Sequence, residues 1–252
     1  EIGNFKSGDG EGYAEMLRYH AQSKSLMVTA SETGTLERLS IQTPSNITRM
    51  EAIDLSGGDV TAVAVHGNLV AASIKADAAD AAGMVKLFDV NAGEIASFAT
   101  GPLPDNLAFS PNGHYLLTAN EGEPSDDYSV DPEGSFTLIN LKSGPENAVV
   151  TQIGLAGFKA PNGGRIVKPD TSFAADAEPE YVAFDASGKT AYVTLQENNA
   201  VAVIDVEKAK VAGIVGLGVK NVSRTSHDMS NKDNAINMKR WPVLMMYQPD
   251  AI

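Results

Sequence analysis

Residues 179–197, PEYVAFDASGKTAYVTLQE, place an acid (Glu180) ahead of an apolar run that ends in Phe184. A polar turn, DASG, follows, then a second apolar run that closes on Thr194-Leu-Gln-Glu197. The same pattern recurs in AEMLRYHAQSKSLMVTASE at 14–32 and PDNLAFSPNGHYLLTANE at 104–121. From first acid to last Glu the interval is 17, 16 and 17 residues in chain order. A weaker copy, DVTAVAVHGNLVAASI at 59–74, lacks the closing Glu, and Gln248-Pro-Asp250-Ala begins what reads as a fifth.

Each copy has the strand–turn–strand signal of short β-rich runs around turn residues. A third alternating run follows each hairpin (LERLSI, MVKLFDV, FTLINL, AVAVIDV), and a fourth after that (RMEAIDL, EIASFAT, AVVTQIGL, VAGIVGL). Four short strands in a unit that recurs along the chain are the signature of a propeller blade. The expectation is therefore all-β: a β-propeller of four-stranded antiparallel blades, about four blades plus the start of a fifth. A β-sandwich of the same strands is the structural alternative. No segment holds a 3.6-residue period long enough for a helical solenoid. Residues 1–252 form one domain in this reading, with insertions at 121–135, 158–178 and 220–246. Long loops inside a compact repeat carry function or are disordered.

Composition narrows the function classes. The 252 residues are 43% hydrophobic and 20% charged, as in a folded globular protein. The net charge of −13 argues against nucleic acid, which needs clustered Lys and Arg. The absence of cysteine excludes disulfides, thiol catalysis and cysteine zinc sites. No apolar run approaches the ~20 residues of a membrane-spanning helix. The opening EIGNFKSGDGEGY lacks the basic start and apolar stretch of a signal peptide. Sequons at Asn46 and Asn221 matter only in a source that glycosylates.

The repeat itself points to a site. In a propeller the innermost strand starts on the same face as the loop joining the second and third strands. Glu15, Asp105, Glu180 and Asp250 open inner strands, and Glu32, Glu121 and Glu197 close second strands. Both sets should meet at one mouth of the channel, where like charges raise each other's pKa or attract a cation. Oxygen ligands without Cys or His suit Ca²⁺ ahead of Mg²⁺. Strand-end and turn capping is the plainer role for the same carboxylates. The 121–135 loop adds Glu123, Asp126, Asp127 and Asp131 to Glu121, without the spacing of an EF-hand. Asp228 and Asp233, with Ser230 and Asn237, form a third and weaker set.

Three strings carry a resemblance: LPDNLAFSPNGHYLLTANEGEPSDDYSVDPEGS, EPEYVAFDASGKTAYVTLQENNAVAVID and DMSNKDNAINMKRWPVLMMYQPDAI. With the opening GDGEGYAEMLRYHAQSKSLMVT, they resemble the choice-of-anchor I domain, a family of bacterial secreted or surface-anchored β-propellers with an alkaline phosphatase-like label. The resemblance implies that this chain is the N-terminal part of a larger propeller, and an extracellular, periplasmic or cell-surface location. The chain departs from the family's D-x-S-D-K-D-G at Asp228-Met-Ser230-Asn231-Lys232-Asp233-Asn234, losing one carboxylate and one glycine.

Two functions follow as expectations. One is a non-catalytic domain that binds a small molecule, glycan or protein, using calcium. The other is a metal-dependent phosphoester hydrolase, alkaline phosphatase-like or phytase-like. Both need the acids. The hydrolase also needs cations for phosphate, for which Arg165, Lys168 and Lys232 are the candidates. There is no Gly-x-Ser-x-Gly elbow and no HExxH motif, so no catalytic residue is assigned. His20 and His114 beside hairpin turns are expected at the surface, and Met245-Met246 with Trp241 are expected to pack the last insertion onto the blades.

Overall fold

The computed structural model describes residues 1–8, 13–55, 58–90 and 93–252. Residues 9–12, within the GDGEGY opening, lie outside the described residues.

Four antiparallel sheets follow one another along the chain, each formed by consecutive strands. Blade 1 comprises β1 (Leu17–His20), β2 (Ser25–Ala30), β3 (Thr35–Ser40) and an outer strand in two pieces, β4 (Thr48–Arg49) and β5 (Ile53–Asp54), both paired with β3. Blade 2 comprises β6 (Asp59–His66), β7 (Leu69–Lys75), β8 (Ala82–Asp89) and β9 (Gly93–Pro102). Blade 3 is β10 (Pro104–Phe109), β11 (Tyr115–Asn120), β12 (Ser135–Asn140) and β13 (Val149–Gly154). Blade 4 is β14 (Pro179–Phe184), β15 (Thr190–Leu195), β16 (Ala200–Asp205) and β17 (Lys210–Gly216). The innermost strands pack in succession, β1 on β6, β6 on β10 and β10 on β14. This is propeller stacking, and the all-β expectation holds.

The alternation of each strand sends one set of side chains to each flank of its blade. Three apolar cores result, one at each contact between consecutive blades. Met27, Leu36, Val63 and Phe88 join blades 1 and 2, and Ala64, Leu87, Leu107 and Leu116 join blades 2 and 3. Phe136, Leu138, Val193 and Ala202 join blades 3 and 4. Among the described residues no such cluster joins blade 4 to blade 1. The free flanks keep apolar side chains in water, Leu17 and Tyr19 on blade 1 and Tyr192 and Val215 on blade 4.

The insertions differ from plain loops. The 158–178 segment contains a short helix, α1 (Phe173–Asp176), capped by the Ser172 hydroxyl accepting from the Ala175 amide. The 220–246 segment is a long hairpin arm rather than an irregular connection. Its ladders are β18 (Val219–Asn221) with β21 (Leu244–Met246) and β19 (Ser226–His227) with β20 (Lys239–Arg240). Gln248 to Ala251 follow the arm in extended or bent backbone with no strand pairing of their own. Among the described residues no helix is long and apolar enough to cross a membrane.

Two side-chain expectations are corrected. His20 is buried rather than at the surface, with Nδ1 held 2.6 Å from the Ser23 hydroxyl, because β1 ends with its side chain turned under the hairpin. Met245 and Met246 lie exposed on β21 rather than packed on the blades, since that strand pairs only within the arm.

An acidic mouth at the channel axis

The inner strands of blades 2, 3 and 4 share one irregularity. The register slips between Val60 and Ala62, between Pro104 and Asn106, and between Pro179 and Val182. The residues left over include Asp105 and Glu180. A bulge bends a strand and re-aims the extra side chain. Here it releases each acid from the blade's pleat towards the mouth. The threonine of the Thr-x-x-Glu motif supports this turn: the Thr194 hydroxyl accepts the Tyr181 amide at 2.9 Å. In blade 1 the Thr29 hydroxyl accepts the Met16 amide at the same 2.9 Å. Thr194 is buried, so its replacement by valine strands the Tyr181 amide. Thr194→Val should cost about 1–3 kcal/mol in urea unfolding.

The acids that reach the mouth come from separate elements. Glu15, Asp59, Lys75, Asp105, Glu121 and Glu123 line a cleft of about 360 Å³. Burial first, then Asp250 and Glu123, raise the Asp105 carboxyl to about 6. Burial, followed by Asp105 and Glu123, raises Glu121 to about 8. Burial, with Asp105 and Glu197 next, raises Glu180 to about 8. Burial also raises Glu178. The charges acting on Asp105, Glu121 and Glu180 thus come from blade 3, blade 4, the 121–135 loop and the C-terminal segment. With its nitrogen turned inward, the Gln196 amide donates to both Glu180 oxygens at 2.7 and 2.8 Å.

The other candidates are placed elsewhere or otherwise engaged. Glu32 lies exposed in a one-turn 3₁₀ helix (Ser31–Thr33). Asp126 lines a second cleft of about 450 Å³ beside Glu123. Asp127 is lowered to about 2 by the hydroxyl and amide of Ser129 and the hydroxyl of Ser125, so it closes its own turn. Asp131 pairs with Lys168 at 2.9 Å. Asp228 accepts the amides of Ser230 and Asn237, and Asp233 that of Ala235, which makes them turn caps at the arm's tip. Among the described residues, no three His, Asp or Glu side chains already sit close enough to share one metal.

Three residues at this mouth escaped the sequence reading. Asp59 and Lys75 are cross-strand partners joined by an ion pair of 3.1 Å. Their interval of 16 matches that of Asp105 and Glu121, so blade 2 carries lysine where blade 3 carries glutamate. That interval was the available signal. Glu178 binds Lys168 at 3.3 Å, and no repeat marks it because it precedes the motif.

A family model, the choice-of-anchor I domain, matches residues 15–252. The chain belongs to that family. No curated protein matches the chain. Solved structures similar to this choice-of-anchor I domain include Kuenenia stuttgartiensis hydrazine synthase, at TM-score 0.60 and 14% identity over 81% of this chain and 62% of that one. The Myceliophteria thermophila Cps50 (Swd1) β-propeller domain matches at TM-score 0.56 and 12% identity, over 84% of this chain and 60% of that one. A functionally unknown protein from Desulfotomaculum acetoxidans DSM 771 matches at 0.52 and 13%, over 82% and 57% respectively. The choice-of-anchor I domain thus spans about three fifths of the length of the propellers it matches. At such identities the likeness shows the fold alone.

Proposed function

We propose that this choice-of-anchor I domain is a binding module of a secreted or cell-surface protein. It takes a hard divalent cation at the acidic mouth and presents a small-molecule, glycan or protein site there. The carrying observation is the convergence of Asp105, Glu121 and Glu180, where burial and then the repulsion of neighbouring acids hold two of them near pKa 8. Uncompensated charge at such a point is relieved by protons or by a cation. Calcium fits better than magnesium, because carboxylates on two blades and two loops supply a flexible oxygen set rather than a rigid octahedron. The family supports the secreted or surface setting, and the net charge of −13 weighs against nucleic acid partners.

A metal-dependent phosphoester hydrolase is the second reading, favoured by Lys75 and Lys168 beside the acids. Both lysines are held by carboxylates, Asp59 at 3.1 Å and Asp131 at 2.9 Å, which leaves them poorly placed to grip phosphate. The first reading therefore ranks higher.

Calorimetric titration with CaCl₂ at pH 8 tests it. Saturable binding is expected, weakened at least tenfold by Glu180→Gln. No heat of binding, or binding indifferent to Glu180, contradicts it. Calcium-dependent turnover of a chromogenic phosphomonoester, lost in Glu180→Gln, would put the hydrolase first.

A further inference from the structure

Asn199 ties together four stretches of chain that are remote in sequence. It is fully buried in the turn between β15 and β16, with φ of 51°, a left-handed conformation that asparagine tolerates better than most residues. Its Nδ2 donates to the carbonyls of Gly163 at 2.9 Å and Gly218 at 2.7 Å. Its Oδ1 accepts the amides of Tyr247 at 2.8 Å and Gln248 at 3.1 Å. Every hydrogen-bonding position of the side-chain amide is thus used. Its backbone carbonyl accepts the Leu217 amide at 3.0 Å.

The segment these bonds hold is otherwise lightly attached. All three residues of β18 and all three of β21 are exposed, and so is Tyr247. Beyond the arm, Gln248 Nε2 donates to Glu197 at 3.3 Å. Two residues later comes Asp250, whose charge acts on both Asp105 and Glu180. The chain crosses at close quarters here: a Cβ on Gly163 would stand 2.9 Å from the Gly218 nitrogen, and one on Gly216 only 2.4 Å from the Asn162 carbonyl. Those glycines let three backbones meet around one amide.

We infer that Asn199 is the latch of a strap: its buried amide fastens residues 247–248 to blade 4 and thereby sets Asp250 at the channel mouth. It is a positioning residue, because backbone groups already occupy both ends of its amide. The consequence for binding rests on the cation reading above, but the latch does not. The strap's carboxylate joins acids that repel it, so closure needs the neutral amide bonds to hold it down. A cation that attracts Asp250 strengthens closure, and by reciprocity closure tightens the cation.

Amide hydrogen exchange on the 252-residue chain separates the two claims. In calcium-free buffer, Asn199→Ala should speed exchange at Tyr247 and Gln248 at least tenfold while Leu117, Leu138 and other strand amides of blade 3 stay protected. Tyr247→Pro removes one strap N–H without touching the buried amide, and should speed Gln248 exchange similarly in a chain whose blades are unaltered. Calcium should then bind both variants several-fold more weakly than the parent. Unchanged exchange at Gln248 in both variants overturns the latch, as does Asn199→Ala loosening blade 3 as much as the strap. Strap exchange as expected in a chain whose parent takes no calcium keeps the latch and discards the cation reading.

Discussion

A chain carrying Glu121→Gln and Glu180→Gln is expected to melt higher than the parent at pH 8, and calcium should no longer raise its melting temperature. Both carboxyls stand near 8 in the folded chain against an ordinary 4.5. Below pH 4.5 they are protonated folded or unfolded and impose no penalty. Between 4.5 and 8 the unfolded chain ionises freely while the folded chain still holds its protons. Stability therefore falls across that window and flattens above it. Glutamine cannot ionise, so the double variant escapes the decline. Water still reaches this partly buried cluster and screens it, so the gain at pH 8 should be on the order of 5 °C for a chain of this size. Saturating calcium at 100-fold its dissociation constant adds about 2.7 kcal/mol to the parent. Thermal melts at pH 5, 6, 7 and 8, with and without calcium, give the result. A parent whose melting temperature rises from pH 5 to 8 in calcium-free buffer would contradict the electrostatic account.

The largest loss of stability is expected from Phe136→Ala. Phe136 is fully buried on β12, paired with Ala119 on β11 and Ile153 on β13, in the core between blades 3 and 4. Truncation removes the ring's burial and leaves a cavity that strands on both sides are too well bonded to fill. The cost is about 3–5 kcal/mol, a large share of the ~5–15 kcal/mol that a folded domain typically has. Because each blade contact is its own core, the damage should centre on blades 3 and 4. Exchange at β7 and β8, on the far side of Leu107 and Leu116, should change less. Uniform loosening of all four blades would show a single cooperative core instead.

The blade count and strand order were legible because side-chain alternation and the acid-to-glutamate interval survive in three copies. The convergence of Asp105, Glu121 and Glu180 was legible for the same reason, since blade topology alone carries strand starts to one face. The bulges that turn Asp105 and Glu180 inward were not, because a one-residue slip leaves no mark in an apolar run. Asp127 and Asp228 accept turn hydrogen bonds that the sequence did not announce, since a carboxylate that caps a turn two residues away looks identical, in sequence, to a candidate ligand. Lys75 was missed for the opposite reason, standing where the motif's glutamate should be. Asn199 could not have been singled out at all. Its partners lie 36 residues before it and 48 and 49 after it, and only the fold brings them to one amide.

Diffraction from crystals grown at pH 8 and soaked in MnCl₂, an anomalous scatterer that shares calcium's preference for oxygen, tests the axial acid cluster most directly. The expected result is one anomalous peak between Asp105, Glu121 and Glu180, with Asp250 or Glu197 completing the shell. A peak only at Asp127, Asp228 or Asp233, or none at a soak concentration that saturates a weak site, would contradict it.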